Sequence, residues 1–85
     1  MSHQVLIERR AQKEILRLSS EIADRVTVAI DGLMAEPRPS NCKKLSGGRN
    51  QWRLRVGDYR ILYEIDDRKQ EVRVYAVGHR REVYR

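Results

Sequence analysis

Eighty-five residues suffice for one small domain, residues 1–85, with a modest core. No apolar run is long enough to span a bilayer, and a single cysteine, Cys42, excludes an internal disulfide. The formal charge of +6 is uneven: residues 1–36 hold five Lys/Arg against six Asp/Glu, and residues 37–85 hold thirteen against six, so the second half carries the basic excess.

The start, Met1-Ser2-His3-Gln4, lacks the basic-then-apolar layout of a secretion signal, and the expectation is a cytoplasmic protein. Val5-Leu6-Ile7 reads as a short strand. Ala11, Ile15 and Leu18 then recur at helical spacing, with Lys13, Glu14 and Arg17 on the outer side. Ser19-Ser20 breaks the pattern and offers an N-cap to a second helix, in which Glu21 and Asp24 sit near the positive end. Its stripe is Ile22, Val26, Ala29, Ile30, Leu33 and Met34, and Pro37 and Pro39 stop it. Two amphipathic helices with so short a joint form an antiparallel hairpin whose stripes face a sheet.

Pro37 to Asn50 is a basic, turn-rich connector carrying Lys43, Lys44 and Arg49, with Leu45 as its anchor. Trp52 to Tyr63 then reads as two alternating runs around Gly57-Asp58, a glycine-first pair suited to a type II′ turn. Asp66 to Gln70 is a polar turn. Glu71 to Val77 is a last strand, Val72, Val74 and Ala76 alternating with Arg73, Tyr75 and Val77; its two apolar sides place it within the sheet. Gly78 ends it, and Glu82 to Arg85 is a short tail. The expected class is α+β in the order β-α-α-β-β-β, a small antiparallel sheet with the N-terminal helical hairpin packed on one face.

A two-residue turn sets the register: Val56 faces Tyr59, Arg55 faces Arg60, Leu54 faces Ile61, Arg53 faces Leu62 and Trp52 faces Tyr63. Cross-strand partners share a face, so Arg53, Arg55 and Arg60 gather opposite the apolar set. Like charges directly opposite cost some tenths of a kcal/mol to about 1 kcal/mol. Two readings fit: a solvated sheet face interleaved with Glu64, or a site that holds an anion. Guanidinium forks bind phosphate and stay charged at ordinary pH. Arg80 and Arg81, arriving after the last strand, extend the set. Donors aimed at charge that develops on a reacting phosphate lower the barrier. RNA supplies its own nucleophile, the 2′-hydroxyl, so such a site needs no metal and no cofactor. Cys42, His3 and His79 show no ligand spacing. Tyr84 and His79 are the candidates for moving a proton.

Lys43-Lys44-Leu45, the run Trp52-Arg53-Leu54-Arg55-Val56-Gly57-Asp58-Tyr59-Arg60-Ile61-Leu62-Tyr63, and Val77-Gly78-His79-Arg80-Arg81-Glu82-Val83-Tyr84 together resemble the RelE/ParE toxin superfamily, on its RelE side. The resemblance covers nearly the whole chain. It implies the toxin of a type II toxin–antitoxin pair, an endoribonuclease that enters the ribosomal A site, cuts mRNA through the 2′-hydroxyl and leaves a cyclic phosphate. It implies a small acidic, DNA-binding antitoxin as partner, with the ribosome and mRNA, and no membrane. Arg53 and Arg55 match the family's basic pair before the turn. Arg60 matches the arginine that stabilises the transition state, Arg80 the general acid or phosphate ligand, and Tyr84 the tyrosine that orients the substrate or base. Lys43, Lys44, Arg49, His79 and Arg81 are the further RNA-binding candidates. Arginine stands here where the best-known type has lysine, and a guanidinium is a poor base. The tail after Tyr84 is also shorter than in relatives with a further C-terminal helix. The alternatives are a ParE-like poison of DNA gyrase, which generally lacks the arginine and tyrosine set, and a non-catalytic RNA- or protein-binding module of the same fold.

Overall fold

The structure, a computed structural model, describes residues 2–81. Its elements are β1 (Gln4–Ile7), α1 (Arg9–Leu16), α2 (Ser20–Gly32), β2 (Cys42–Lys44), β3 (Gln51–Val56), β4 (Tyr59–Asp66) and β5 (Glu71–His79). One five-stranded sheet runs in the order β1-β5-β4-β3-β2. The expected α+β layout holds, with two corrections. β1 lies parallel to β5, Val5 opposite Val72 and Ile7 opposite Val74, so the sheet is mixed rather than antiparallel. The connector contains a strand, β2, antiparallel to β3 with Lys43 opposite Arg53. Three residues are too few to display a period. The two lysines suit an edge strand, where charge discourages pairing with another chain.

The β3–β4 hairpin has the expected register throughout, from Val56↔Tyr59 to Trp52↔Tyr63. Gly57 has φ +58° and Asp58 keeps a negative φ, the signature of a type II′ turn. Ser19 caps α2, its hydroxyl oxygen accepting the Ile22 N–H at 3.4 Å. α1 packs against β5 and α2 against β3. Between helices and sheet lie Ala11, Val26, Ile30, Leu33, Leu54, Ile61, Tyr63, Ile65, Val72, Val74 and Val77, all buried. Met34, expected in the stripe, is exposed because α2 ends at Gly32 and Met34 falls in the turn beyond.

A β-bulge refines the last strand. Leu62 pairs with Ala76 but Tyr63 with Val74, so Tyr75 is the extra residue. The alternation slips there: Val77 joins Val72 and Val74 in the main core, whereas Ala76 and Tyr75 pack with Leu62 and Leu45 on the opposite side. The expected grouping of Ala76 with Val72 and Val74 is thereby corrected. Beyond β1 the outer edge of β5 meets α1, and the Glu14 carboxylate accepts the Val77 N–H at 2.9 Å. That edge amide therefore has a partner although no strand lies beside it.

Candidate active site

The sheet face turned away from the helices carries the cations. Its central row runs Lys43, Arg53, Leu62, Ala76 across β2 to β5, and the next row runs Arg55, Arg60, Gly78. The rows are two residues apart along each strand, about 7 Å, and neighbouring strands are separated by about 4.8 Å. Arg53, Arg55, Arg60 and Lys43 thus occupy one patch of the size of a phosphodiester and its neighbours. Gly78 adds no side chain to its row.

The arginines differ in freedom. Arg60 is only 7% exposed. Its Nη1 donates to the carbonyls of Gly57 at 3.3 Å and Tyr59 at 3.2 Å, so the turn holds the guanidinium in place. Arg53 is half-buried and Arg55 exposed. Asn41 Nδ2 donates to the Arg55 carbonyl at 3.0 Å, securing the end of β3 from the connector. The Arg80 N–H donates to the Asp58 carbonyl at 2.8 Å, which brings the chain after β5 to the hairpin turn, two residues past Gly78. The side chains of Arg80 and Arg81 are exposed. A small apolar floor of Leu62, Ala76, Leu45 and Tyr75 lies beside the patch. Tyr75 was not legible as part of this face, because the bulge that turns it there has no signature in the alternation.

Other expected residues separate from the patch. His79 pairs with Tyr59, on the helix-facing side by strand alternation, and the two rings meet edge to face at 5.6 Å. His79 Nδ1 also accepts the Arg81 N–H at 3.3 Å. It is thus not gathered with the arginines. Lys44 pairs with Trp52 and shares that opposite side, exposed. Arg49 is exposed in the β2–β3 loop and lines a groove with Asn50, Glu64 and Arg73 at the far end of the sheet. Tyr84 lies outside the described residues. Trp52 and Tyr63 take the core role: Tyr63 is fully buried, and its hydroxyl donates to the Pro37 carbonyl at 2.8 Å. Burial, then its contact with Cys42, push that hydroxyl above the ordinary tyrosine range, so it stays a donor and is no base.

Chemically, the patch offers several fixed positive charges and no carboxylate within its two central rows. It can hold an anion and stabilise charge that grows on one. Arg60 is the member best prepared to do so, since its orientation is set before any ligand arrives.

A family model described as the ParE toxin of the type II toxin–antitoxin system parDE matches residues 5–84. No curated protein matches. Among solved structures, the chain is similar to the archaeal RelE–RelB complex from Pyrococcus horikoshii, with TM-score 0.85 and 25% identity over 98% of this chain and 100% of that one. It is similar to the RelBE2 toxin–antitoxin complex from Mycobacterium tuberculosis, with TM-score 0.83 and 27% identity over 93% and 99%. The isolated E. coli RelE toxin matches with TM-score 0.80 and 25% identity over 92% and 84%. The chain belongs to the RelE/ParE superfamily of toxins from type II toxin–antitoxin systems.

Proposed function

We propose that this toxin is an mRNA endoribonuclease that acts on the translating ribosome. The observation that carries the reading is the cross-strand pairing of Arg55 with Arg60, flanked by Arg53 and Lys43 on the same face. Such a patch accepts the scissile phosphate. The 2′-oxygen attacks phosphorus, the bond to the 5′-oxygen breaks, and a 2′,3′-cyclic phosphate and a 5′-hydroxyl remain. The proton of the 2′-hydroxyl leaves to water or to Tyr84, and the 5′-oxygen gains one. Arg60 and Arg53 neutralise the growing charge, Arg55 holds the flanking phosphate, and Arg80 serves as phosphate ligand or acid. Lys43, Lys44, Arg49 and Arg81 add attraction for the RNA. No metal is needed, because nucleophile and phosphate come from one substrate. The named RelE–RelB and RelBE2 complexes support a cognate antitoxin as partner; the basic half of this chain calls for an acidic one. Activity on ribosomes would place the protein in the cytoplasm; no helix among the described residues is long and apolar enough to cross a membrane.

One observation favours a second reading: the matching family description names ParE. A gyrase poison would need no preorganised phosphate site, and the buried, turn-clipped Arg60 weighs against it. Cell-free translation with purified protein separates the readings. The expected result is new mRNA 5′ ends that require ribosomes. Intact mRNA together with gyrase-dependent DNA breaks would replace this reading by the ParE one, and neither activity would leave a binding module.

A further inference from the structure

One member of the cationic face differs from the rest in its chemistry. Arg53, Arg55 and Arg60 carry guanidinium groups, which hold their protons at any ordinary pH. Lys43 carries an amine, and an ammonium gives up a proton far more readily than a guanidinium does. The chain has four lysines. Lys13 lies on α1, Lys44 on the helix-facing side of β2 and Lys69 in the β4–β5 turn, so Lys43 alone joins the arginines. It stands opposite Arg53, one strand spacing of about 4.8 Å away. It is exposed and takes part in none of the ion pairs among the described residues. Other groups that could carry a proton are differently placed. His79 and Tyr59 meet on the helix-facing side, Tyr63 is buried with its hydroxyl given to the Pro37 carbonyl, and Tyr75 packs into the apolar floor with Leu62 and Leu45.

We propose that Lys43 is the general acid of the cleavage: its Nζ delivers the proton that the departing 5′-oxygen requires. The proposal rests on the RNA-cleaving reading above and deepens it. In an in-line displacement the attacking 2′-oxygen and the departing 5′-oxygen lie on opposite sides of phosphorus. Proton acceptor and proton donor then stand on opposite flanks of the phosphate. A phosphate held by Arg53, Arg55 and Arg60 sits over β3 and β4. On its β5 flank the two rows end in Ala76 and Gly78, whose side chains have no proton to give. On its β2 flank the central row ends in Lys43. As the 2′-oxygen bonds to phosphorus, the electron pair of the breaking bond passes to the 5′-oxygen, and the Nζ proton follows it there. The neutral amine regains a proton from solvent before the next turnover. Charge attraction alone would be served as well by arginine, which fills every other cationic position of the two rows. Arg80 is then a phosphate ligand and not the acid.

The test is single-turnover cleavage of synthetic mRNA on purified ribosomes with saturating full-length protein. Two substrates differ in one atom: the 5′-oxygen of the scissile bond, located first with wild type, is kept or replaced by sulfur. A thiolate departs without a proton, so the sulfur substrate needs no acid. Lys43→Arg keeps the charge but not the transferable proton. On the oxygen substrate it should cut about 100-fold or more slowly than wild type. On the sulfur substrate it should cut within about threefold of wild type, with unchanged affinity for the programmed ribosomes. Lys43→Gln, which also removes the charge, should show the same selective rescue by sulfur; thermal melts check that both variants fold. Cleavage of the oxygen substrate by Lys43→Arg at the wild-type rate overturns the proposal and leaves Lys43 a charged edge residue. Equal losses on the two substrates also overturn it, because they make Lys43 a residue that positions the RNA. Sulfur rescue of Arg80→Ala without rescue of Lys43→Arg assigns the proton to Arg80 instead. Wild-type protein that cuts neither substrate overturns the underlying reading, and the assigned acid with it.

Discussion

In the proposed mechanism, Arg60 is the residue on which the chemistry turns. It is buried, clipped to the Gly57 and Tyr59 carbonyls, and opposite Arg55. Replacing one preorganised donor typically costs about 10²–10³ in rate. Arg60→Ala should therefore reduce ribosome-dependent cleavage by about 100-fold or more while the protein remains folded. Arg60→Lys should recover part of the loss, since it restores charge without the planar fork. Mapping of mRNA ends alongside thermal unfolding checks both, and wild-type cleavage by a folded Arg60→Ala protein would remove Arg60 from the mechanism. His79 gives the converse case. Its pairing with Tyr59 sets it on the other side of the sheet, so His79→Ala should leave the cleavage rate unchanged. A large loss of rate in a folded His79→Ala protein would bring the imidazole back into the mechanism. The residue types of the patch were legible from the chain because arginine spacing around a glycine-first turn fixes who faces whom. The exclusion of His79 was not, because it depends on how β5 registers against β4 after a bulge.

At the level of elements, the hairpin and the capped α2 follow from local rules, and these were the parts that could be read directly. Gly57 must take a positive φ, and Ser19 must supply an acceptor. The direction of β1, the existence of β2 and the slip at Tyr75 are long-range outcomes. β1 could pair in either direction as far as Val5-Leu6-Ile7 is concerned, and only the route through two helices delivers it parallel to β5. That route leaves the outer edge of β5 without a strand beyond Ile7, and Glu14 meets the need at Val77. Glu14→Ala should leave the Val77 N–H unpaired and destabilise the domain by about 1–3 kcal/mol. Glu14→Gln keeps an acceptor oxygen and should recover much of this. Denaturant titration of the two variants decides: equal losses would mean that the charge of Glu14, not its hydrogen bond to the strand, supports the edge.

Across the whole molecule, distant segments close around Asp67 in the β4–β5 turn. Arg38 of the connector grips its carboxylate at 2.8 and 3.3 Å and lies over the Trp52 ring at 5.0 Å, and His3 Nε2 lies 3.5 Å from the same carboxylate. The segment before β1, the start of the connector and the turn thereby meet on one side of the fold, and none of His3, Arg38 and Asp67 belongs to the cationic patch. The hydrogen bond from Arg38, and then its charge, hold the Asp67 carboxyl below the usual range. A carboxyl with a lowered folded pKa stabilises the fold above its unfolded value, near 3.9, and that contribution fades as pH falls through the folded value. The pair is exposed, so the contribution is modest. Its signature is differential. Arg38→Gln should lower the melting temperature at neutral pH, and the gap to wild type should narrow when both are acidified below about pH 4. A gap of the same width at both pH values would mean that Arg38 acts through its packing on Trp52 and not through Asp67. In either case cleavage measured at neutral pH should change little, because this closure lies away from the row that holds Arg55 and Arg60.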